Sequence, residues 1–170
     1  MPKSSVSIRV HQWLEPNLAG ICNAPSTLDF SCESAVPVHV ARMNAKNVLG
    51  TDLQPCCTSP MTGFFRDGSC RTCPEDTGLH TVCVIVTERF LAFSKSRGND
   101  LSTPHPQWQF PGLKPGDRWC LCAPRWREAW QAGEAPLVML ESTHEATLAV
   151  VSRSVLEEHA YIPGVEEPGA

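Results

Sequence analysis

Hydrophobic and polar positions alternate in a readable way only in the middle and C-terminal parts of this chain. His80 to Thr87 (HTVCVIVT) is apolar, β-branched and bounded by Gly78, the pattern of a buried strand. Thr87 stands where a helix cap belongs. Phe90, Leu91 and Phe93 then form the apolar side of a helix over 88–97, with Lys95 and Arg97 in its last turn and Gly98 as its stop. Arg118 to Ala123 (RWCLCA) reads as a second strand, and Pro124 suits the first position of the helix after it. Trp126, Ala129 and Trp130, at i, i+3 and i+4, predict one apolar face, and Gly133 ends that helix. Pro136 to Glu141 (PLVMLE) reads as a third strand. Ser142-x-x-Glu145 and Ser154-x-x-Glu157 are capping boxes that predict two further helices, the last ending near Ala160.

Strand followed by helix thus occurs three times. The alternation predicts an α/β fold, with α+β as the alternative: a small three- to four-stranded, largely parallel sheet of β-α units with right-handed crossovers. Two long aperiodic loops interrupt it, Gln54–Leu79 and Gly98–Asp117, the second punctuated by prolines 104, 106, 111 and 115. Loops of that length in a compact domain usually carry function. Asn47 to Leu53 predicts a short strand or hairpin around Gly50. Residues 1–42 show no sustained period and carry prolines 2, 16, 25 and 37, which predicts a poorly ordered extension. The division is therefore an extension over 1–42, one globular domain over 43–162 and a flexible tail over 163–170. Met43, just before the readable part of the chain, is a candidate for an alternative translation start.

Charge narrows the partners. The net charge is -4, and residues 44–160 hold 11 Lys/Arg against 13 Asp/Glu, so no block is basic. Neither a nucleic acid nor an anionic membrane is the expected partner. No apolar run reaches the roughly 18–20 residues a bilayer span requires. No apolar h-region follows Lys3 and Arg9, so a secretory signal is not read and a cytoplasmic location is expected. The nine cysteines are an odd number, which in such a chain predicts reduced thiols rather than a disulfide framework.

Several segments carry a resemblance. They are Asn47-Val-Leu-Gly50, Pro60-Met-Thr-Gly-Phe-Phe-Arg-Asp-Gly68, Pro74-Glu-Asp76, His80-Thr-Val-Cys83, Phe93 to Pro104, Phe110 to Ala123, and Thr143-His-Glu145. Over about residues 44–160 the chain resembles bacterial domain-of-unknown-function family 2237. The resemblance implies a compact α/β fold and no particular reaction. Cys73 stands where the family is expected to have glycine, so a Cys70-x-x-Cys73 role common to the family is not implied.

Four groups of residues offer chemistry. Cys70-Arg-Thr-Cys73 has a spacing that chelates zinc or forms a redox pair. Cys120-Leu-Cys122 places two thiols on one strand face, where they would complete a four-cysteine site with Cys70 and Cys73. The plainer reading is buried cysteines packing a sheet, so zinc is a candidate cofactor that is not favoured. A Cys–His dyad would join Cys83 or Cys56 to His144. Finally, Arg97, Asn99, Asp100, Trp108, Asp117 and Arg118 mix polar groups with an aromatic body, as a pocket for a small polar ligand requires. A structural Ω-like loop is the competing reading. The functional expectation is a small domain that binds a polar ligand or a partner through its long loops. The alternatives are a thiol- or metal-dependent enzyme and a scaffold module. Neither an oligomeric state nor a reaction follows from these patterns.

Overall fold

The computed structural model describes residues 45–164. The expected extension over 1–42 and all but the first two residues of the expected tail lie outside the described residues. In chain order the elements are β1 (Val82–Ile85), α1 (Glu88–Ser96), β2 (Arg118–Leu121), α2 (Ala123–Gln131), β3 (Leu137–Val138) and α3 (Arg153–Glu158). Short 3-10 turns lie at Pro106–Trp108, Leu140–Ser142 and Glu145–Ala149.

The sheet has the order β2-β1-β3 and both of its pairings are antiparallel. The fold is α+β, and the largely parallel sheet expected from the strand–helix alternation is corrected. The reason lies in the loop over 98–117. Helix α1 leads the chain away from the C-terminal end of β1, and the loop returns it to the same end. There the Gly116 N–H donates to the Val86 carbonyl at 2.8 Å, and the Val86 N–H to that of Asp117 at 2.9 Å. β2 therefore begins beside the end of β1, with Arg118 opposite Ile85. β3 also pairs antiparallel with β1, so β2 and β3 run parallel to each other with β1 inserted between them.

Alternation of side chains along the strands gives the sheet two chemically different faces. On one, Val82 and Val84 lie opposite Leu121 and Trp119, and Val84 also faces Val138. Phe90, Trp126, Ala129 and Leu156 join them in a hydrocarbon core. Trp126 is fully enclosed and its indole N–H donates to the Pro136 carbonyl at 3.1 Å. Trp130, expected on the same face, is 37% exposed. The apolar face of α2 is narrower than the i, i+3, i+4 pattern suggests. The loop over 98–117 contributes Leu101, Phe110 and Leu113 to this core, with Phe110 5.4 Å from the Trp119 ring.

On the other face Cys83 lies opposite Cys120. The segment 54–80, which has no helix or strand, covers them and supplies Cys56 and Cys70. Disulfides join Cys56 to Cys83 and Cys70 to Cys120, which overturns the expectation of reduced thiols throughout. The segment also covers the open edge of β2: the Thr62 hydroxyl accepts the Cys120 N–H at 2.8 Å, so that strand edge is not left bare.

Local signals held unevenly. The Thr87 hydroxyl accepts the Phe90 N–H at 3.1 Å and α1 ends before Gly98, as read. Ser142, expected to cap a helix, instead donates its hydroxyl to the Pro55 carbonyl, and the cap of the following 3-10 turn is His144, whose Nδ1 accepts the Ala146 N–H at 3.0 Å. The turn around Gly50 is built on the buried Asn47, whose side chain accepts from Leu49 and Thr51 and donates to the Glu141 carbonyl.

Candidate functional site

The most chemically distinctive arrangement outside the disulfides is made by the last turn of the segment 54–80 against the start of α2. Asp76 is buried, and its own N–H donates to the Cys73 carbonyl while its carbonyl accepts from Leu79. That tight folding turns the Asp76 carboxylate onto His80: one oxygen accepts the His80 backbone N–H at 2.8 Å and the Thr72 hydroxyl at 3.1 Å, and the other pairs with His80 Nδ1. Burial works against the ionised carboxyl. Hydrogen bonds from the His80 ring, the His80 backbone and Thr72 outweigh it and hold Asp76 below its ordinary range.

Leu79 takes a left-handed conformation (φ 49°), rare for a non-glycine residue and costing on the order of 1–2 kcal/mol. In this conformation its carbonyl accepts from both Thr81 at 2.7 Å and Ala123 at 2.9 Å. The second bond ties the turn to the first residue of α2. Cys122 is the N-cap residue of that helix, directly after β2.

Gly78 completes the geometry. A Cβ built there would lie 2.6 Å from His80 Cε1, 3.0 Å from His80 Nε2 and 3.3 Å from Cys122 Sγ. The imidazole and the thiol therefore converge on one point, and glycine is required at 78 by space rather than by backbone angle. His80 and Cys122 are 6% and 7% exposed, and Phe64 stacks beside the imidazole with ring centroids 6.1 Å apart. Sequence reasoning placed Cys122 inside a strand with Cys120 and so missed this set. The legible signals were a cysteine at a strand–helix junction before Pro124, and a histidine four residues after an aspartate with a glycine between them.

The other candidate residues are placed as follows. Cys70 and Cys120 join Cys56 and Cys83 in one buried cluster, while Cys73 and Cys122 lie outside it and form no disulfide. Burial, followed by the hydrogen bond to Glu75, raises the Cys73 thiol above its ordinary value. Cys56 and Cys83, the proposed dyad partners of His144, are bonded to each other. The His144 ring serves as a cap.

In the second long loop, Arg97 pairs with Glu128 at 2.9 Å and lies over the Phe93 ring. Asn99 is buried and donates to the Ser94 hydroxyl. Asp100 accepts from Ser102, Thr103 and Lys95, which outweigh its desolvation and hold it far below the usual carboxylate range. Trp108 lies against His105, Asp117 accepts the Lys114 N–H, and Arg118 opens β2 at the surface. Among the described residues no helix is long and apolar enough to cross a membrane.

Comparison with curated proteins returns no match. A family model described as uncharacterized protein conserved in bacteria matches residues 46–160, more than half of the chain and all of the elements above. The chain belongs to that family, DUF2237.

Proposed function

We propose that the protein is a cysteine-dependent enzyme in which Cys122 is the nucleophile, His80 the base and Asp76 the residue that orients the base. The observation that carries this reading is the convergence of His80 Nε2 and Cys122 Sγ beside Gly78, with Nδ1 of the same ring held by a buried carboxylate. The ionised Asp76 accepts from the Nδ1–H, which leaves Nε2 as the accepting nitrogen on the side of the sulfur. The thiol proton passes to Nε2 and the sulfur attacks an electrophilic carbon. For an acyl carbonyl, the class such sets commonly serve, the S–C bond forms as the carbonyl π pair moves to oxygen, and the imidazolium then protonates the leaving group. The partial positive charge at the N-terminus of α2 favours negative charge on Cys122. The slight exposure of Cys122 restricts the electrophile to a small molecule. Less supports the reading in which the loop over 98–117 binds a polar ligand, because Asn99, Asp100 and Asp117 spend their polar atoms within the loop and its neighbouring helix.

The test is the pH profile of alkylation by iodoacetamide, read residue by residue with Cys57 and Cys73 as internal references. Cys122 in the native protein should react at lower pH than either. Asp76→Asn and His80→Gln should move its profile upward without moving theirs. Gly78→Ala should do the same, because a Cβ 2.6 Å from the ring must displace it. A Cys122 profile that is the same in wild type, Asp76→Asn and Gly78→Ala overturns the reading.

A further inference from the structure

The sulfurs on the second face of the sheet are gathered more closely than two independent cross-links require. Sγ of Cys56, Cys70 and Cys83 all lie within 4.8 Å of one another, and Cys120 is bonded to Cys70. Four cysteines thus form one buried cluster, two from adjacent strands and two from the segment that covers them. All four are 0–4% exposed.

The strand pair fixes half of the set. Cys83 and Cys120 are directly opposite in register. Their backbone N–H groups point away from each other, to the Thr143 hydroxyl at 3.1 Å and the Thr62 hydroxyl at 2.8 Å. They are therefore a non-hydrogen-bonded pair, the kind in which opposed side chains come closest. The other half is held by hydrogen bonds and has few apolar anchors. Between residues 54 and 79 no aliphatic or aromatic side chain is buried, and the enclosed side chains are those of Cys56, Thr62, Cys70 and Asp76. Once the sulfur bonds are opened, this long cover would have almost no apolar attachment to the sheet.

We propose that in its reduced form these four cysteines bind one zinc ion, and that the two disulfides are the metal-free, oxidised form of the same site. A dithiol supplies the conversion by exchange: each disulfide takes up two electrons and two protons, and two dithiols become two disulfides. The four thiols that result release protons as they become thiolates on the metal. Tetrahedral coordination by four sulfurs is the preference of zinc among common divalent ions, with Zn–S near 2.3 Å and hence S···S separations of about 3.8 Å. Three of the sulfurs already lie within 4.8 Å of one another and the fourth is bonded to one of the three, so side-chain rotation brings the set to that spacing. The ligand set is Cys56, Cys70, Cys83 and Cys120; Cys122 is outside it, so this inference does not depend on the thiol nucleophile proposed above.

The experiment uses the full chain, reduced with a phosphine under anaerobic conditions, freed of metal and titrated with cobalt(II). One equivalent should give the visible absorption of tetrahedral thiolate cobalt, and one equivalent of zinc should abolish it. Oxidised wild-type protein needs no substitution to serve as the control: it should give no such spectrum, and zinc should raise the melting temperature of the reduced form only. Cys57→Ser, Cys73→Ser and Cys122→Ser should each keep the spectrum, and Cys83→Ser should lose it. Absence of the spectrum in reduced protein overturns the proposal. So does its survival in Cys83→Ser, its loss in Cys73→Ser or Cys122→Ser, or equal zinc stabilisation of the oxidised and reduced forms.

Discussion

Replacing Cys70 and Cys120 together by alanine removes the longer cross-link without leaving an unpaired thiol behind. The bond joins residues 50 apart in sequence. On the chain-entropy account, releasing a loop of that size gives the unfolded state about 4 kcal/mol at 25 °C. A domain of ordinary stability has only about 5–15 kcal/mol in total, so the loss is a large fraction of it. The corresponding pair Cys56 and Cys83 closes 27 residues and should cost slightly less, about 3.5 kcal/mol. The two effects should not add, because the cross-links interleave and share the same buried cluster. The assay is urea unfolding of oxidised protein with a chelator present and no reductant. With a slope of about 2 kcal/mol per molar urea, the midpoint of the Cys70→Ala/Cys120→Ala protein should fall by about 2 M. A fall of less than about 0.5 M at unchanged slope would mean that the Cys70–Cys120 bond does not constrain the chain as described.

Two further expectations follow from single residues. Trp126→Ala should destabilise the domain by about 3–5 kcal/mol, because the ring is fully enclosed and its N–H bond to Pro136 is lost, whereas Trp130→Ala should cost less than about 1 kcal/mol; equal costs in thermal or urea melts would contradict the placement of α2. Burial lowers the pKa of His144 from 6.5 despite the neighbouring Glu145, so below that value the unfolded chain binds the proton more readily; the stability His144 contributes is complete above pH 6.5 and is lost as pH falls through its folded value. His144→Asn keeps an acceptor for the Ala146 N–H without titrating, so the decline of melting temperature from pH 7 to pH 5 should be shallower than in wild type; an unchanged decline would exclude His144 as a source of that pH dependence.

What the sequence reveals about this fold depends on how local each determinant is. α1 could be read because Thr87, Phe90 and Gly98 all act within about three turns of one helix. The direction of β2 could not, because it is set by where the loop over 98–117 ends, and the bonds from Gly116 and Asp117 to Val86 join positions some thirty residues apart. Ser142 and His144 illustrate a closer competition. Both precede the same turn and both can accept an N–H, but Ser142 finds the Pro55 carbonyl on a distant segment and His144 takes the cap. The cysteines divide in the same way. Spacing displays Cys70 with Cys73 and Cys120 with Cys122, since only neighbours are visible in a string of letters. The bonds that form run between the covering segment and the sheet. The Asp76–His80–Cys122 set was half legible: the first two residues share one turn, while the third arrives some forty residues later at the end of β2.

The interleaving of the two disulfides fixes how the chain holds together as a covalent object. Cys56–Cys83 and Cys70–Cys120 each close a ring, and the rings share residues 70–83. Every peptide bond from 56 to 120 lies inside at least one of them. A single hydrolytic cut anywhere in that interval, including the long cover over the sulfur face or the loop after α1, therefore releases no fragment from the oxidised protein. Its mass rises by one water while its two pieces remain one molecule, and they part only when the sulfur bonds are opened. Integrity as judged by size and integrity of the backbone are separate properties for this chain, linked through the redox state of four side chains.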